Sequence, residues 1–380
     1  MQDIGIIGGG AAGLCAAIHA ARLGAGVTIL ERLPRVGKKL LVTGSGRCNL
    51  GNLDPEPRLN GSVSQAGNIV AGFDTVGFFR SVGLYCRPDN EGRLYPMSNQ
   101  ASSVLDALRQ ECNRLGVREE CSFCVSEIEV GCEEFILRSE GGKSASCRRL
   151  IIAAGGRAAP AYGTDGLGLR LAESLGHSST YLLPSLCPLP SGHRFLKMLA
   201  GQRVRAAVTA LKNSIPVAFS KGEVQFTKDS LSGICVFDLA RFSPDIISLD
   251  LLPEQSKDVT SLLKILFDIR GLSEDALGGL FPKRVSAALM RESGGDVFKL
   301  ARLIKDWRFS VTEPSSWDKA QVTAGGIPGS EVTENLESKL IHGLYFCGEV
   351  LDADGPCGGY NLRWAWASGA VAGGKAAQCL

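Results

Sequence analysis

Gly8, Gly10 and Gly13 stand in the spacing Gly-x-Gly-x-x-Gly. Glycines so placed can hold a diphosphate. The first permits a tight turn, the second lets backbone approach the pyrophosphate, and the third lets a helix pack closely on a strand. The N-terminus of that helix offers free N–H groups and a partial positive charge. Glu31 follows at the end of the next apolar run. Its carboxylate can accept hydrogen bonds from both ribose hydroxyls and would repel a 2′-phosphate. These residues point to a bound dinucleotide, and on their own they leave both FAD and NAD open.

Two other segments carry groups useful to such a ligand. Lys38, Lys39 and Arg47 lie in a glycine-rich loop, where their charge can offset a diphosphate, and Gly44 and Gly46 allow close approach to a planar ring. Far along the chain, Gly358-Gly359-Tyr360-Asn361-Leu362 precedes an apolar helix pattern. A helix starting there would aim its positive end at a ligand; beside a flavin it would stabilise the anionic reduced ring. Trp364 and Trp366 are two apart, fall on different helix faces and are expected in the core. Glu349, Asp352 and Asp354 form an acidic loop cluster that could reach a cofactor's ribityl or phosphate region. Arg93 and Tyr95 are candidates for a substrate-side wall.

The histidines, His19, His177, His193 and His342, form no nucleophile or metal constellation in the sequence. His19 reads as structural, and His193 as a residue that could face a cavity. Cys121-x-x-Cys124 has no partner pair and no nearby His, so packing is expected and no metal site is assigned. Cys48 lacks the spaced second cysteine that a disulfide reductase needs.

The elements that must position these groups follow from periodicity. An apolar run over 4–7 ends in the glycines, a small-residue helix pattern covers 11–23, and a second apolar run over 27–30 ends at Glu31: a βαβ unit. Residues 32–60 read as a long loop, and 75–83 as a helix. Ser98-Asn99 is set to cap a helix running to about residue 115. Residues 117–148 suggest a small antiparallel meander, and 150–154 a buried strand ending at Gly155-Gly156. Pro184, Pro188 and Pro190 mark a boundary. Residues 191–252 read as mostly β and 254–305 as mostly helical. A buried strand at 344–347 and a small-residue helix over about 362–377 complete the pattern. The expected domains are a discontinuous one of residues 1–184 and 320–380, a β-rich insert at 185–253 and a helical subdomain at 254–319.

At 380 residues the chain can hold two or three domains. Its 44% hydrophobic and 21% charged content is that of a globular protein. A net charge of +2 argues against a broad field for polyanions, while leaving room for a local basic groove. There is no run of about 18 uncharged apolar residues and no basic leader before the first strand. The 13 cysteines are odd in number and scattered, which favours reduced thiols. A cytoplasmic protein is expected, with no membrane partner and with its oligomeric state open.

Three stretches resemble a known family: residues 37–49 (GKKLLVTGSGRCN), residues 222–233 (GEVQFTKDSLSG), and Thr323-Ala324-Gly325-Gly326 with residues 343–369. Together with the fingerprint they resemble the BaiN/YhiN-like flavoproteins, described as NAD(P)/FAD-dependent or aminoacetone-oxidase-type oxidoreductases. The resemblance implies an α/β chain with a glutathione-reductase-like, FAD-binding Rossmann domain. That domain would be interrupted by a β-rich domain and a small helical subdomain, and its FAD would be non-covalent. It further implies that Gly9, Ala12, Glu31, Arg32, Lys39, Gly44, Arg47, Cys48 and Asn49 lie along the cofactor. Val125 would offer backbone to the adenine, and Ala154-Gly155-Gly156 would pass near the pyrophosphate. Gly348, Glu349, Asp352, Gly359, Tyr360, Asn361 and Leu362 would complete the site at the flavin ring. The family usually has a histidine where this chain has Lys228; Arg47, Asn49, Lys228 and Tyr360 are the candidate catalytic groups.

An FAD-dependent oxidoreductase is therefore expected, with hydride passing between reduced flavin and an electron-poor C=C bond of a small molecule. A flavin amine oxidase and a flavin-dependent RNA-modifying or RNA-binding protein are the alternatives. Lys197, Arg203, Arg205, Lys283 and Arg284 would line a groove for RNA. With one glycine fingerprint in the sequence, the electron supply is open between NAD(P)H binding transiently and another protein that reduces the flavin.

Overall fold

The computed structural model describes residues 2–57, 59–255, 258–312 and 316–380. These divide into two compact units, one of residues up to Leu183 together with Val322–Leu380, the other Pro184–Gln321.

In the first unit the βαβ pattern forms as the periodicity predicts: strand Gln2–Ile7, helix Ala11–Arg22, strand Val27–Glu31. Among the described residues these strands belong to a seven-stranded sheet. Arg118–Cys121, Val27–Glu31, Gln2–Ile7, Ser144–Ile152 and Leu344–Phe346 run parallel across it, and Phe135–Ser139 and Val125–Val130 extend it antiparallel. The expected meander is thus split. Its first piece, Arg118–Cys121, pairs with Val27–Glu31 instead of with its neighbours in sequence.

Alternate residues of the central strands feed two cores. Ile4, Ile6, Ile29, Ile151 and Tyr345 face one side with Leu14, Ile18 and Trp366; Ile7, Leu30, Ile152 and Phe346 face the other with Leu169, Val350 and Trp364. A sheet covered on both faces explains why its strands read as continuous apolar runs.

Helix Ala11–Arg22 lies along the last helix, Tyr360–Gln378. The approach is close because small residues face each other. A Cβ on Gly369 would stand 2.4 Å from Ala12 O, and one on Gly373 2.2 Å from Ala16 O. Trp366 and Trp364 fall into different cores, as their spacing predicts.

Three local expectations change. The segment read as loop contains a 3-10 stretch, Leu40–Gly46, broken by left-handed Gly44 and Ser45. Asn99 is left-handed (φ 56°), so neither it nor Ser98 caps helix Ala101–Arg114; Gln100 takes that position without a side-chain bond. The last helix starts at Tyr360 rather than Leu362.

His19 is structural. Its ring stacks on Phe78 at 5.4 Å, and its Nε2 is buried without a partner among the described residues. Burial, helped by the charge of Arg22, lowers its pKa to about 4. The folded form thus favours the neutral ring. Its contribution to stability is complete above the unfolded value of about 6.5 and is lost as pH falls toward 4. The total is on the order of 3 kcal/mol. In His19→Leu, urea unfolding at stepped pH should show a flatter decline between those two values. An unchanged slope would assign it to other groups.

In the second unit the described residues build a six-stranded antiparallel sheet, ordered Leu189–Pro190, Ser230–Ser232, Ile215–Phe226, Arg203–Lys212, Ile246–Asp250, Trp307–Ser310. Helices Val259–Arg270, Lys283–Ser293 and Val297–Lys305 precede its last strand. His193 sits in this unit's aromatic core, 4.4 Å from Phe309 between ring centroids and 3.5 Å from Glu292 Oε1. Its ring is packed in that core, and burial lowers its pKa.

Candidate dinucleotide site

The three glycines do different work. Gly8 is left-handed (φ 104°), and a Cβ there would strike Ala153 O at 2.6 Å. Gly13 packs so closely that a Cβ would meet Gly8 O at 2.0 Å. A Cβ on Gly10, by contrast, would have no neighbour within 4 Å. Gly10 precedes helix Ala11–Arg22, and no side chain caps that helix. Open space over an uncapped twelve-residue helix suits a diphosphate, since the first N–H groups need an acceptor.

Glu31 is buried. Its Oε2 accepts from Gly9 N at 2.8 Å and its Oε1 from Leu33 N at 2.9 Å. Each oxygen keeps a second lone pair for a ribose hydroxyl. Phe123 N donates to Glu31 O, which holds the start of strand Val125–Val130 near this strand end. Arg32 is ion-paired with Asp165 at 2.8 Å.

Ala154-Gly155-Gly156 continues from the parallel strand that lies beside Gly8. Behind it is a clamp that the sequence reading missed. Thr323 donates from N and Oγ1 to Glu349 Oε1 (3.0 and 2.8 Å), and its Oγ1 accepts from Arg157 N at 2.7 Å. A Cβ on Gly156 would stand 2.3 Å from that Oγ1. Lys39 Nζ closes the group at 3.0 Å from Glu349 Oε2. Lys39 is thus paired within the protein, and Lys38 donates to Ala161 O.

The two ends of the chain meet here. A Cβ on Gly348 would lie 2.8 Å from that of Ala12. Trp364 Nε1 donates to Gly348 O and Trp366 Nε1 to Leu50 O. Gly359 (φ 100°) precedes helix Tyr360–Gln378, again with no side-chain cap, and a Cβ on it would stand 2.6 Å from Asn49 Oδ1. That Asn49 oxygen is buried without a partner among the described residues. A buried acceptor with no donor calls for a ligand N–H or O–H. Around it, Asn361 clasps both backbone groups of Gly355, and Tyr360 Oη donates to Asp54 Oδ2 at 2.9 Å. Arg363, which the sequence did not single out, donates to Asn52 O and Asp54 O. Asp352 accepts from Ser62 N and Oγ. Leu362 packs at the edge of the core.

Cys48 is fully buried, and burial raises its thiol pKa to about 12, which keeps it protonated and unreactive. Gly46 borders open space, and Arg47 is exposed with its guanidinium 4.7 Å over the Tyr95 ring. Lys228 lies in the second unit on an exposed turn between Ile215–Phe226 and Ser230–Ser232.

One further constellation has the geometry of a nucleophilic triad: Ser338 Oγ is 2.9 Å from His177 Nε2, and His177 Nδ1 is 2.8 Å from Glu331. Ser338 is buried and its oxygen accepts from Leu340 N and Ile341 N, so it braces a turn. Among the described residues no group of three metal-ligating side chains occurs, and no helix is long and apolar enough to cross a membrane.

Residues 2–375 match the family described as the HI0933-like protein Rossmann domain. The chain belongs to this family. It is 37% identical over 410 aligned residues to the 3-dehydro-bile acid delta(4,6)-reductase of Clostridium scindens, covering 100% of each chain. It is 28% identical to the ribosomal RNA dihydrouridine synthase of Haemophilus influenzae, covering 96% of this chain and 95% of that one. Among solved structures it resembles 3-ketosteroid delta1-dehydrogenase from Sterolibacterium denitrificans, with a TM-score of 0.53, 14% identity and full coverage of both chains; this likeness bears on fold alone. The fold is of the Rossmann FAD-binding type, and the chain is an FAD-dependent oxidoreductase.

Proposed function

We propose that this HI0933-like chain uses FAD to reduce an electron-poor C=C bond conjugated to a carbonyl in a small molecule. The observation that carries the reading is full-length likeness, at 37% identity, to a reductase named for such a bond in a bile acid. The RNA-directed relative points to the same bond type, since dihydrouridine is uridine saturated at the ring C=C beside a carbonyl. The relatives differ in molecule and agree in reaction.

The residues present fit FAD. Gly8, Gly10, Gly13 and the helix start at Ala11 would hold the diphosphate, Glu31 the adenosine ribose, and the backbone at Val125 the adenine. Arg32 and Ala154-Gly155-Gly156 would flank the diphosphate. Asn49 would supply its unpartnered oxygen to a ring N–H, with Gly44, Gly46 and Cys48 alongside. The Lys39–Glu349 pair and Asp352 would brace the loops that carry Gly348 and Gly359. FAD held there would supply hydride chemistry, with the carbon β to the carbonyl as the acceptor. The α-carbon then needs a proton. Tyr360 holds one at Oη, shared with Asp54, and is the proposed source. The uncapped start of helix Tyr360–Gln378 favours negative charge beside it. NAD(P)H, bound transiently, is the proposed electron supply.

The test is anaerobic. Photoreduced holoenzyme mixed with a conjugated enone should regain its yellow absorbance and yield the saturated ketone. Return of colour with oxygen alone would end this reading. A small amine that bleaches oxidised enzyme without oxygen would replace it with amine oxidation.

RNA is the second reading, favoured by the dihydrouridine synthase relative. Lys197, Arg203, Arg205, Lys283 and Arg284 are all exposed in the second unit, although Arg203 is paired with Glu223 and Arg284 donates to Ala200 O. Salt-sensitive retention on structured RNA would support it; no retention at low salt would dismiss it.

A further inference from the structure

A cleft of about 410 Å³ opens between the loop at Arg47 and the hairpin of Cys86–Pro88 and Arg93–Pro96. Its lining carries three arginines, Arg47, Arg87 and Arg93, and two carboxylates, Asp89 and Glu91. Arg87 and Tyr95 are directly opposite across the two strands, so their side chains share one face. Tyr95 is buried, and Arg47 lies over its ring at 4.7 Å. The third arginine, Arg93, is paired with two carboxylates, Asp89 at 2.7 Å and Glu91 at 3.0 Å, so that group is net negative and the positive charge open to a ligand is that of Arg47 and Arg87. Arg47 and Arg87 have no carboxylate within ion-pair distance among the described residues. Arg47 Nε donates to Gly44 O at 3.3 Å, and its remaining N–H groups, with the guanidinium of Arg87, are suited to a planar or tetrahedral oxyanion.

The cleft is tied to the candidate flavin site through shared backbone. Arg93 pairs with Asn52 and Leu94 with Gly51. Asn52 Nδ2 donates to Gly358 O, next to the start of the last helix. Arg47 is two residues from Asn49 and its unpartnered oxygen. A substrate whose alkene lies against a flavin ring held at Asn49 and Gly359 would extend toward Arg87 if it carried a charged tail.

We propose that the Arg47–Arg87 cleft binds the anionic group, carboxylate or phosphate, of the alkene substrate. The proposal rests on the ene-reduction reading and names the substrate class for it: an acidic enone rather than a neutral one. Arg47 borders the proposed cofactor site, so Arg87 is the residue to change. It is exposed on a hairpin, and FAD content checks that the variant folds.

The probes are a 3-oxo-4-ene steroid with a side-chain carboxylate, its methyl ester, and inorganic pyrophosphate as a competitor. The wild-type holoenzyme should prefer the acid. In Arg87→Met the acid's KM should rise on the order of 10- to 100-fold, as expected on losing a charge-assisted pair. The acid-to-ester ratio in kcat/KM should fall toward one, and Arg87→Lys should recover part of it. Should acid and ester be treated alike while pyrophosphate competes in wild type and not in Arg87→Met, the anion is a phosphate and the cleft assignment stands. An acid-to-ester ratio and a pyrophosphate competition both unmoved by Arg87→Met would overturn it, as would a change confined to the KM of NAD(P)H. Equilibrium dialysis of the saturated acid against oxidised holoenzyme reads the cleft without turnover. Binding lost in Arg87→Met, with no enone able to reoxidise wild type, would sink the reaction and keep the cleft.

Discussion

Gly10→Val should give a folded protein without colour. The backbone at Gly10 has φ −82°, which a valine tolerates, and its Cβ direction is empty to 4 Å, so the fold loses nothing. The added side chain occupies the space the cofactor's diphosphate needs over the helix start. FAD affinity should fall on the order of 100-fold or more, about 3 kcal/mol. The checks are FAD titration by flavin fluorescence and a thermal melt of the apoprotein, with the melt unchanged from wild-type apoprotein. Gly13→Val is the contrast: with Gly8 O 2.0 Å from its Cβ, it should fail to fold. Normal flavin stoichiometry in Gly10→Val would move the diphosphate away from this turn.

Gly373→Val should be among the most destabilising single changes on the surface between the first and last helices. Its Cβ would stand 2.2 Å from Ala16 O, backbone that cannot rotate aside. Overpacking usually costs 1–3 kcal/mol, and a clash with a helix backbone belongs at or beyond the top of that range, about 3 kcal/mol. Moving the last helix also moves Gly359, so flavin release should accompany the loss. Gly374 is the neighbouring control: a Cβ there meets nothing within 4 Å, and Gly374→Ala should gain roughly 0.5–1 kcal/mol from helix propensity. Urea unfolding followed by both fluorescence and flavin absorbance measures the pair. Equal stability of Gly373→Val and wild type would show that the two helices do not touch in solution.

The parts legible in the sequence are those set by neighbours in the chain. The glycine turn, its helix and Glu31 form within one local unit, and period and composition predict them. Trp364 and Trp366 declared opposite faces by spacing alone. Contacts made across the chain were not legible. Lys39 read as a free charge for a diphosphate because its partner, Glu349, is far away in sequence. Arg118–Cys121 read as meander because strand pairing with Val27–Glu31 has no local signature. Thr323 and Arg363 acquire their roles only when Gly156 and Asp54 come alongside. Asn99 shows the reverse failure: a good capping residue by type, lost to a left-handed backbone. The aromatic core around His193 was not legible because Phe309 and Glu292 reach it from distant strands and helices.

The meeting of Ala12 with Gly348 and Gly369 has a consequence for biosynthesis. Most of the polypeptide lies between these positions. At ~5–20 residues per second, a ribosome releases the glycine turn tens of seconds before the helix that completes its cradle. During that interval Leu14, Ile18 and their neighbours lack the cover they have in the finished protein, and a nascent chain lacks the part of the candidate site at Gly348 and Gly359. Flavin capture is therefore a late event in maturation, and the early segment is where a holding chaperone would be needed.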